Sequence, residues 1–128
     1  MLESPRSAKP ATILLVEDDC DLRQVVKITV EEPHLRILEA GDGPSALDLA
    51  RREKPDLIVL DWVLPGLTGI EIAQALRNEP ATARTPIIML TSRDQPEFIE
   101  AAKQIGVSAY LFKPFSPVEL VQTIYSVL

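Results

Sequence analysis

Acidic, hydroxyl and amine side chains end or directly follow apolar runs at four places in this chain of 128 residues. In chain order these side chains are Glu17 and Asp18, Asp61, Thr91 and Lys113. Carboxylates that converge repel one another unless a cation joins them, and oxygen-only ligands favour a hard divalent ion such as Mg²⁺. A carboxylate can also attack a phosphoryl group, whose oxygens are then neutralised by a metal, a lysine and a hydroxyl. If the fold brings these residues together, their types indicate phosphoryl transfer to an aspartate.

Five apolar runs of strand length must position these side chains, and stretches with helical periodicity separate them. The runs are Thr12–Val16, Leu35–Ala40, Leu57–Leu60, Ile87–Leu90 and Ala109–Phe112. Strict alternation of apolar strands with helices predicts an α/β fold, with a parallel sheet covered by helices on both faces. We expect one doubly wound, flavodoxin-like (βα)5 domain with strand order 2-1-3-4-5. In that order, a ligand crevice lies at the carboxyl ends of strands 1 and 3.

Local signals predict where several helices begin and end. The segment Ser116–Glu119 has the capping-box pattern with proline at the first helical position, and Gly106 suits the end of the fourth helix. Pro33 would close the first helix and Pro80 the third. These boundaries agree with the alternation of strands and helices.

Composition limits the class of protein. Apolar residues make up 46% of the chain and charged residues 25%, which fits one globular domain. We expect a disordered tail over residues 1–10 and a single domain over residues 11–128. The apolar runs are far shorter than the roughly 20 residues that span a bilayer, so we expect no membrane association. The lone Cys20 excludes an internal disulfide and favours a reducing, cytoplasmic setting.

Charge bears on the choice of partner. The net charge is −6, and Lys and Arg form no run. A nucleic-acid interface needs clustered positive charge that displaces counterions. We therefore expect no direct nucleic-acid binding by this chain.

Four motifs in register resemble the receiver domain of response regulators, the phosphoacceptor module of bacterial two-component signalling. They read ILLVEDD, DLIVLDWVLPGLTGIE, PIIMLTS and AYLFKPF, and the resemblance covers roughly residues 11 to 128. It implies phosphorelay signal transduction, with a sensor histidine kinase or phosphotransfer protein as donor and an unknown downstream protein target. We expect a monomer or weak dimer. Such a domain catalyses only its own phosphorylation and dephosphorylation, so we do not expect an enzyme in the usual sense.

The resemblance assigns roles to the acidic residues. It implies that Asp61 is the phosphoacceptor and that Mg²⁺ is the cofactor. Asp18 would bind the metal directly and Glu17 through water, while the backbone carbonyl of Val63 would be a further ligand. Many members of the family carry a second aspartate where this sequence has Glu17.

The resemblance also assigns the residues that sense the phosphoryl group. Thr91 would be the switch hydroxyl, Lys113 the lysine that contacts the phosphate, and Tyr110 the aromatic side chain whose rotamer reports activation. The Lys113–Pro114 peptide bond is expected to be cis. The face formed by helix 4, strand 5 and helix 5 would then switch between partner-binding states. The resemblance gives no role to Trp62, which directly follows the acceptor.

Two other functions remain open on the residues alone. The chain could be a receiver-fold interaction module that binds partners without being phosphorylated, although Asp61, Asp18, Thr91 and Lys113 are all present. It could also be a flavodoxin-like binder of a nucleotide or flavin. That function needs a phosphate-binding loop after strand 1, where this sequence has the acidic stretch EDDCDL.

Overall fold

The computed structural model of the chain describes residues 10–30, 35–92 and 95–128. The tail predicted over residues 1–10 (apart from residue 10) and the helix end predicted at Pro33 lie outside these residues. Strands and helices alternate as predicted: β1 (Ala11–Val16), α1 (Cys20–Val30), β2 (Leu35–Ala40), α2 (Gly43–Glu53), β3 (Leu57–Asp61), α3 (Gly69–Arg77), β4 (Ile87–Thr91), α4 (Pro96–Ile105), β5 (Ala109–Phe112) and α5 (Pro117–Val127). Across the described ranges, no helix combines the length and apolar character needed to cross a bilayer.

The five strands form one parallel sheet in the order β2-β1-β3-β4-β5. This confirms the predicted doubly wound fold. The order reverses between β1 and β3, so the loops that follow these two strands leave toward opposite faces of the sheet. The crevice between the loops lies at the carboxyl ends of both strands.

Side chains alternate between the two faces of the sheet, and each face carries its own layer of helices. On β3, Ile58 and Leu60 belong to the core shared with α2, α3 and α4, whereas Leu57 and Val59 belong to the core shared with α1 and α5. Both β3 and β4 are buried along their whole length. Alternation therefore puts Asp61 on the same face as Leu57 and Val59.

Two strands extend one residue further than predicted at their carboxyl ends. The apolar runs end at Leu60 and Leu90, but β3 extends to Asp61 and β4 to Thr91. Each added residue is still paired in the sheet, Asp61 with Leu90 and Thr91 with Phe112. Regular pairing continues past the last apolar side chain because it depends on the backbone. The acceptor candidate is thus the last residue of a buried strand.

The predicted caps of α4 and α5 are confirmed. Ser116 and Glu119 form a reciprocal capping box at the start of α5, and Gly106 ends α4 with φ +88°. A second capping box, formed by Thr68 and Glu71, begins α3 after the loop that follows β3. The two capping boxes fix the starts of α3 and α5, the helices that flank the carboxyl ends of β3 and β5.

Candidate functional site

Glu17 and Asp61 are neighbours because β1 and β3 are paired in register. Val16 lies opposite Leu60, so the next residue of each strand falls at the same edge of the sheet. The backbone N–H of Glu17 also donates to the carbonyl of Ala40 at the end of β2, at 3.0 Å. Both acids are buried, with 2% of Glu17 and 5% of Asp61 exposed. Buried carboxylates at this density require a positive partner.

Carboxylate oxygens of Glu17, Asp18 and Asp61 lie within 4.8 Å of one another. Asp18 is exposed, so the group opens to solvent on one side while its other two members stay buried. The donor set consists of carboxylate oxygens, which fits a hard divalent cation such as Mg²⁺. The sequence-predicted acidic residues are therefore brought together, and they could hold one ion.

Lys113 supplies a positive charge to the same group. Its Nζ donates to Oε1 of Glu17 at 3.0 Å and to Oδ2 of Asp61 at 3.1 Å. The lysine directly follows β5, and its own N–H donates to the carbonyl of Thr91 at 2.8 Å. The Lys113–Pro114 peptide bond is cis. A residue far away in sequence thus bridges the two buried acids.

Burial and charge shift the proton affinities of this group. Burial raises the pKa of Glu17 from 4.5 to about 7; the hydrogen bond from Lys113 opposes the rise, and the charge of Asp61 adds to it. Burial disfavours the charged form of Lys113, but hydrogen bonds to Glu17 and Asp61 outweigh that effect and raise its pKa above the usual value. Near neutral pH, the protonated and charged forms of Glu17 are therefore close in free energy, and a cation would favour the charged form.

The loop that follows Asp61 packs tightly on the start of α3. The N–H of Val63 lies 3.4 Å from Oδ1 of Asp61, and the N–H of Gly69 donates to the carbonyl of Trp62 at 2.6 Å. A Cβ on Gly69 would clash with the carbonyl oxygen of Asp61 and would lie 2.8 Å from Cα of Trp62. Position 69 therefore needs a residue without a side chain. The predicted metal-binding role of the Val63 carbonyl stays a prediction.

Thr91 and Tyr110 lie on the other face of the sheet from Asp61. Thr91 is 2% exposed at the end of β4, and Tyr110 is half-buried on β5, opposite Met89. Because Met89 and Thr91 alternate with Leu90, Thr91 and Tyr110 share a face. Their predicted roles as switch residues stay predictions.

Trp62 links the end of β3 to α4 and β5. Its buried ring lies 5.3 Å from the ring of Phe98 on α4 and 6.3 Å from that of Tyr110, both in edge-on geometry. Tyr110 in turn lies 5.2 Å from Phe112. We call Trp62, Phe98, Tyr110 and Phe112 the aromatic cluster. No role for Trp62 could be read from the sequence, because its ring partners lie on elements far along the chain.

Arg23 contacts the backbone of Glu17, and it was not identified from the sequence as a site residue. Its Nη1 donates to the backbone carbonyl of Glu17 at 2.6 Å. A single arginine on an amphipathic helix usually belongs to the solvated face, so its position in the sequence carried no signal.

Comparison with known proteins agrees with this geometry. The family described as the response regulator receiver domain matches residues 13–125. The phosphate regulon transcriptional regulatory protein PhoB of Pseudomonas aeruginosa is 39% identical over 117 residues, covering 91% of this chain and 51% of that protein. The DNA-binding response regulator MtrA of Mycobacterium leprae is 37% identical over 109 residues, covering 85% of this chain and 47% of that protein. The chain spans about half the length of the curated relatives it matches.

Solved structures give the same picture. The chemotaxis response regulator CheY4 of Vibrio cholerae superimposes with a TM-score of 0.87 at 35% identity, covering 94% of this chain and all of that one (100%). The receiver domain of the Francisella response regulator 1452 gives a TM-score of 0.83 at 36% identity, covering 91% of this chain and 95% of that one.

These relatives correct one prediction. The expectation of no direct nucleic-acid binding is contradicted by relatives named as a DNA-binding response regulator and as a transcriptional regulatory protein. That expectation rested on the net charge of −6 and on the scattered basic residues of this chain. The chain spans about half of each relative, and the charge of one half carries no information about the other.

Proposed function

Since the chain belongs to the response regulator receiver domain family, we propose that it is a phosphorelay switch in which Asp61 accepts a phosphoryl group. The donor is a sensor histidine kinase or a phosphotransfer protein, and the reaction depends on Mg²⁺. The observation that carries this proposal is the double hydrogen bond of Lys113 to Glu17 and Asp61 beside three clustered carboxylates. In this proposal residues 11–128 form the receiver domain, and its setting is cytoplasmic.

The residues of the site have distinct parts in the reaction. An Asp61 carboxylate oxygen attacks the phosphorus, the new O–P bond forms, and the bond from phosphorus to the donor nitrogen breaks. The donor imidazole leaves with the electron pair of that bond. Lys113 moves its hydrogen bond from Asp61 to an oxygen of the arriving phosphoryl group. Thr91 ends the neighbouring strand β4 at the same edge of the sheet, and its hydroxyl turns over that edge to donate to another oxygen.

Glu17, Asp18, Asp61 and the Val63 carbonyl would hold the Mg²⁺ ion. When bound, the ion neutralises negative charge on the phosphoryl oxygens and on the attacking carboxylate. The burial of Asp61 limits access of water to the new bond. Catalysis is confined to the chain's own phosphorylation and dephosphorylation, so the protein is a switch rather than an enzyme in the usual sense.

The output of the switch is a change in the face formed by α4, β5 and α5. Phosphorylation favours one of two packed states, because the phosphoryl group makes added contacts in that state. Thr91 and Tyr110 move with the change. The aromatic cluster supports this proposal, since Trp62 follows the acceptor directly and its ring contacts both α4 and β5.

Intact-mass measurement tests the proposal. Wild-type protein incubated with Mg²⁺ and a small phosphodonor such as acetyl phosphate is expected to gain one phosphoryl group. Asp61→Asn is expected to gain none. Asp48→Asn serves as the matched control, since Asp48 is exposed on α2 and pairs with Arg52. Uptake by Asp61→Asn would refute the assignment of the acceptor. Failure of the wild type would favour the phosphorylation-independent interaction module.

A further inference from the structure

Arg23 of α1 binds the backbone that carries the acidic pair. Its Nη1 donates to the carbonyl oxygen of Glu17 at 2.6 Å, and its Nε donates to Oε1 of Glu39 on β2 at 3.3 Å. The carbonyl belongs to the peptide unit that joins Glu17 to Asp18. Because that unit is planar, fixing its carbonyl limits the directions in which both acidic side chains leave the backbone.

We propose that Arg23 is a positioning residue for the Mg²⁺ site. It holds the peptide between Glu17 and Asp18 in the orientation that directs both carboxylates toward Asp61. This inference rests on the proposed function, because it assumes that the acidic group binds Mg²⁺. Arg23 acts through the backbone of the ligands and contacts none of the reacting atoms.

An arginine suits this position better than a lysine would. The guanidinium presents several donors in a rigid plane, so one side chain can hold Glu17 and Glu39 at the same time. A third donor, Nη2, lies 3.3 Å from Sγ of Cys20. The side chain is 19% exposed, so most of it is shielded from water. These contacts fix the guanidinium against β2 and the end of β1.

The loop after β2 is shaped around the same guanidinium. A Cβ on Gly41 would lie 2.9 Å from Nη1 of Arg23 and 4.0 Å from the carbonyl oxygen of Glu17. Real Cβ atoms essentially never approach another atom as closely as 2.9 Å, so either the Cβ at position 41 or the guanidinium of Arg23 would have to move. Gly41 therefore leaves room for the hydrogen bond from Arg23 to Glu17.

Lys27 provides a matched control. It lies on α1 one turn after Arg23, and its Nζ lies 3.5 Å from Oε2 of the same Glu39. Within the described part of the chain, Lys27 contacts Glu39 and not Glu17. Removing Lys27 therefore deletes a cation next to Glu39 without touching the peptide of the acidic pair.

Calorimetric titration of metal-free protein with Mg²⁺ tests the inference. Arg23→Met is expected to weaken Mg²⁺ binding by about 10-fold to 100-fold, as is typical when a residue that orients metal ligands is lost. Lys27→Met is expected to bind Mg²⁺ as the wild type does. Thermal unfolding without metal separates positioning from stability, because both variants lose an ion pair to Glu39.

Gly41→Ala alone keeps the inference testable if Arg23→Met folds poorly, because wild-type Mg²⁺ affinity in Gly41→Ala would count against the positioning role. If Arg23→Met folds, the two substitutions together form a double-mutant cycle. Gly41→Ala retains the arginine but displaces Nη1, so it is expected to weaken Mg²⁺ binding on its own. In the Arg23→Met background, Gly41→Ala is expected to have no further effect. Equal affinity of Arg23→Met and wild type, or equal effects of Gly41→Ala in both backgrounds, would overturn the positioning role. A wild type that binds no Mg²⁺ would instead overturn the proposed function.

Discussion

Asp61 and Trp62 are adjacent in the chain, yet they belong to two regions of opposite chemistry. Asp61 lies in a charged pocket with Glu17, Asp18 and Lys113, on the face of the sheet that packs against α1 and α5. Trp62 packs into the core on the other face, which it shares with α2, α3 and α4. An extended chain sends consecutive side chains to opposite faces, so one peptide step connects the two regions.

The difference between the two regions suggests that they respond to different changes. The charged pocket contains buried acids that depend on a cation, and its state should therefore respond to protons, metal and phosphoryl groups. The aromatic cluster is held by ring packing, which responds to shape and displacement. A chemical change in the charged pocket would then displace rings of the aromatic cluster. The variants below test whether the two regions respond separately.

Replacing Lys113 should have the largest effect and should act on the charged pocket. Lys113→Met removes the ammonium that contacts both Glu17 and Asp61. We expect phosphoryl uptake from acetyl phosphate to slow by about 10² to 10³-fold, the usual effect of losing one stabilising donor. Lys103→Met, an exposed position on α4, is the control and should react normally. An unchanged rate in Lys113→Met would remove lysine from the mechanism.

A methyl group at position 69 should disturb both regions, because it lies against the peptide that joins them. Gly69→Ala would press its Cβ on backbone atoms of Asp61 and Trp62, which cannot rotate away. We expect the free energy of unfolding to fall by about 1 to 3 kcal/mol in urea denaturation, with weaker Mg²⁺ binding.

Gly106→Ala is the control for Gly69→Ala. It introduces strain at φ +88° in the cap of α4, where a Cβ would meet its nearest atom, Nε of Arg77, at 3.8 Å. Its stability should also fall, while Mg²⁺ binding should not change. Equal losses of Mg²⁺ affinity in both variants would show that the effect does not come from the contact of position 69 with the backbone of Asp61 and Trp62.

Of the two regions, the charged pocket is the one that a change of pH should affect. The folded state raises the pKa of Glu17 from 4.5 to about 7, mainly through burial, so it keeps a proton that the unfolded chain releases in this range. Metal-free protein should therefore lose stability as pH rises from about 4.5 to about 7. Water reaches the charged pocket beside the exposed Asp18 and weakens the effect. We therefore expect the free energy of unfolding to fall by about 1 to 2 kcal/mol.

Glu17→Gln isolates this contribution, because it cannot ionise at position 17. Urea denaturation of both proteins across the same pH range gives the difference, which cancels the other titrating groups. The wild type should become less stable relative to the variant as pH rises. A difference that stays constant with pH would show that Glu17 titrates normally in the folded state.

Tryptophan emission should give the smallest signal and reports from the aromatic cluster. Trp62 is the single tryptophan of the sequence and follows Asp61 directly. We expect Mg²⁺ to change its fluorescence with the same dissociation constant that calorimetry gives. Trp62→Phe should abolish the signal and keep the binding. Constant emission during calorimetrically proven binding would show that the two regions are not coupled by the metal.

The sheet order and the meeting of Glu17, Asp61 and Lys113 could be predicted because parallel strands bring their carboxyl ends to one edge. That inference needs only the order of apolar runs and the residues after them. The contacts of Trp62 with Phe98, and of Arg23 with Glu17, depend on how helices settle on the sheet. No periodicity in the sequence encodes those distances.

Two other shortfalls have simple causes. The apolar runs ended one residue before β3 and β4 do, because backbone pairing includes Asp61 and Thr91 irrespective of their side chains. The exclusion of nucleic acid failed because net charge describes only the part of the relatives that this chain matches.

The bridge from Lys113 to both buried acids has a consequence for valence. With every group ionised, the pocket holds the carboxylates of Glu17, Asp18 and Asp61 and the one ammonium of Lys113. The excess is two negative charges, which is the charge that a single divalent cation cancels. A monovalent ion would leave the pocket negative, and a trivalent ion would leave it positive. Lys113 would thereby match the pocket to the charge of a divalent ion.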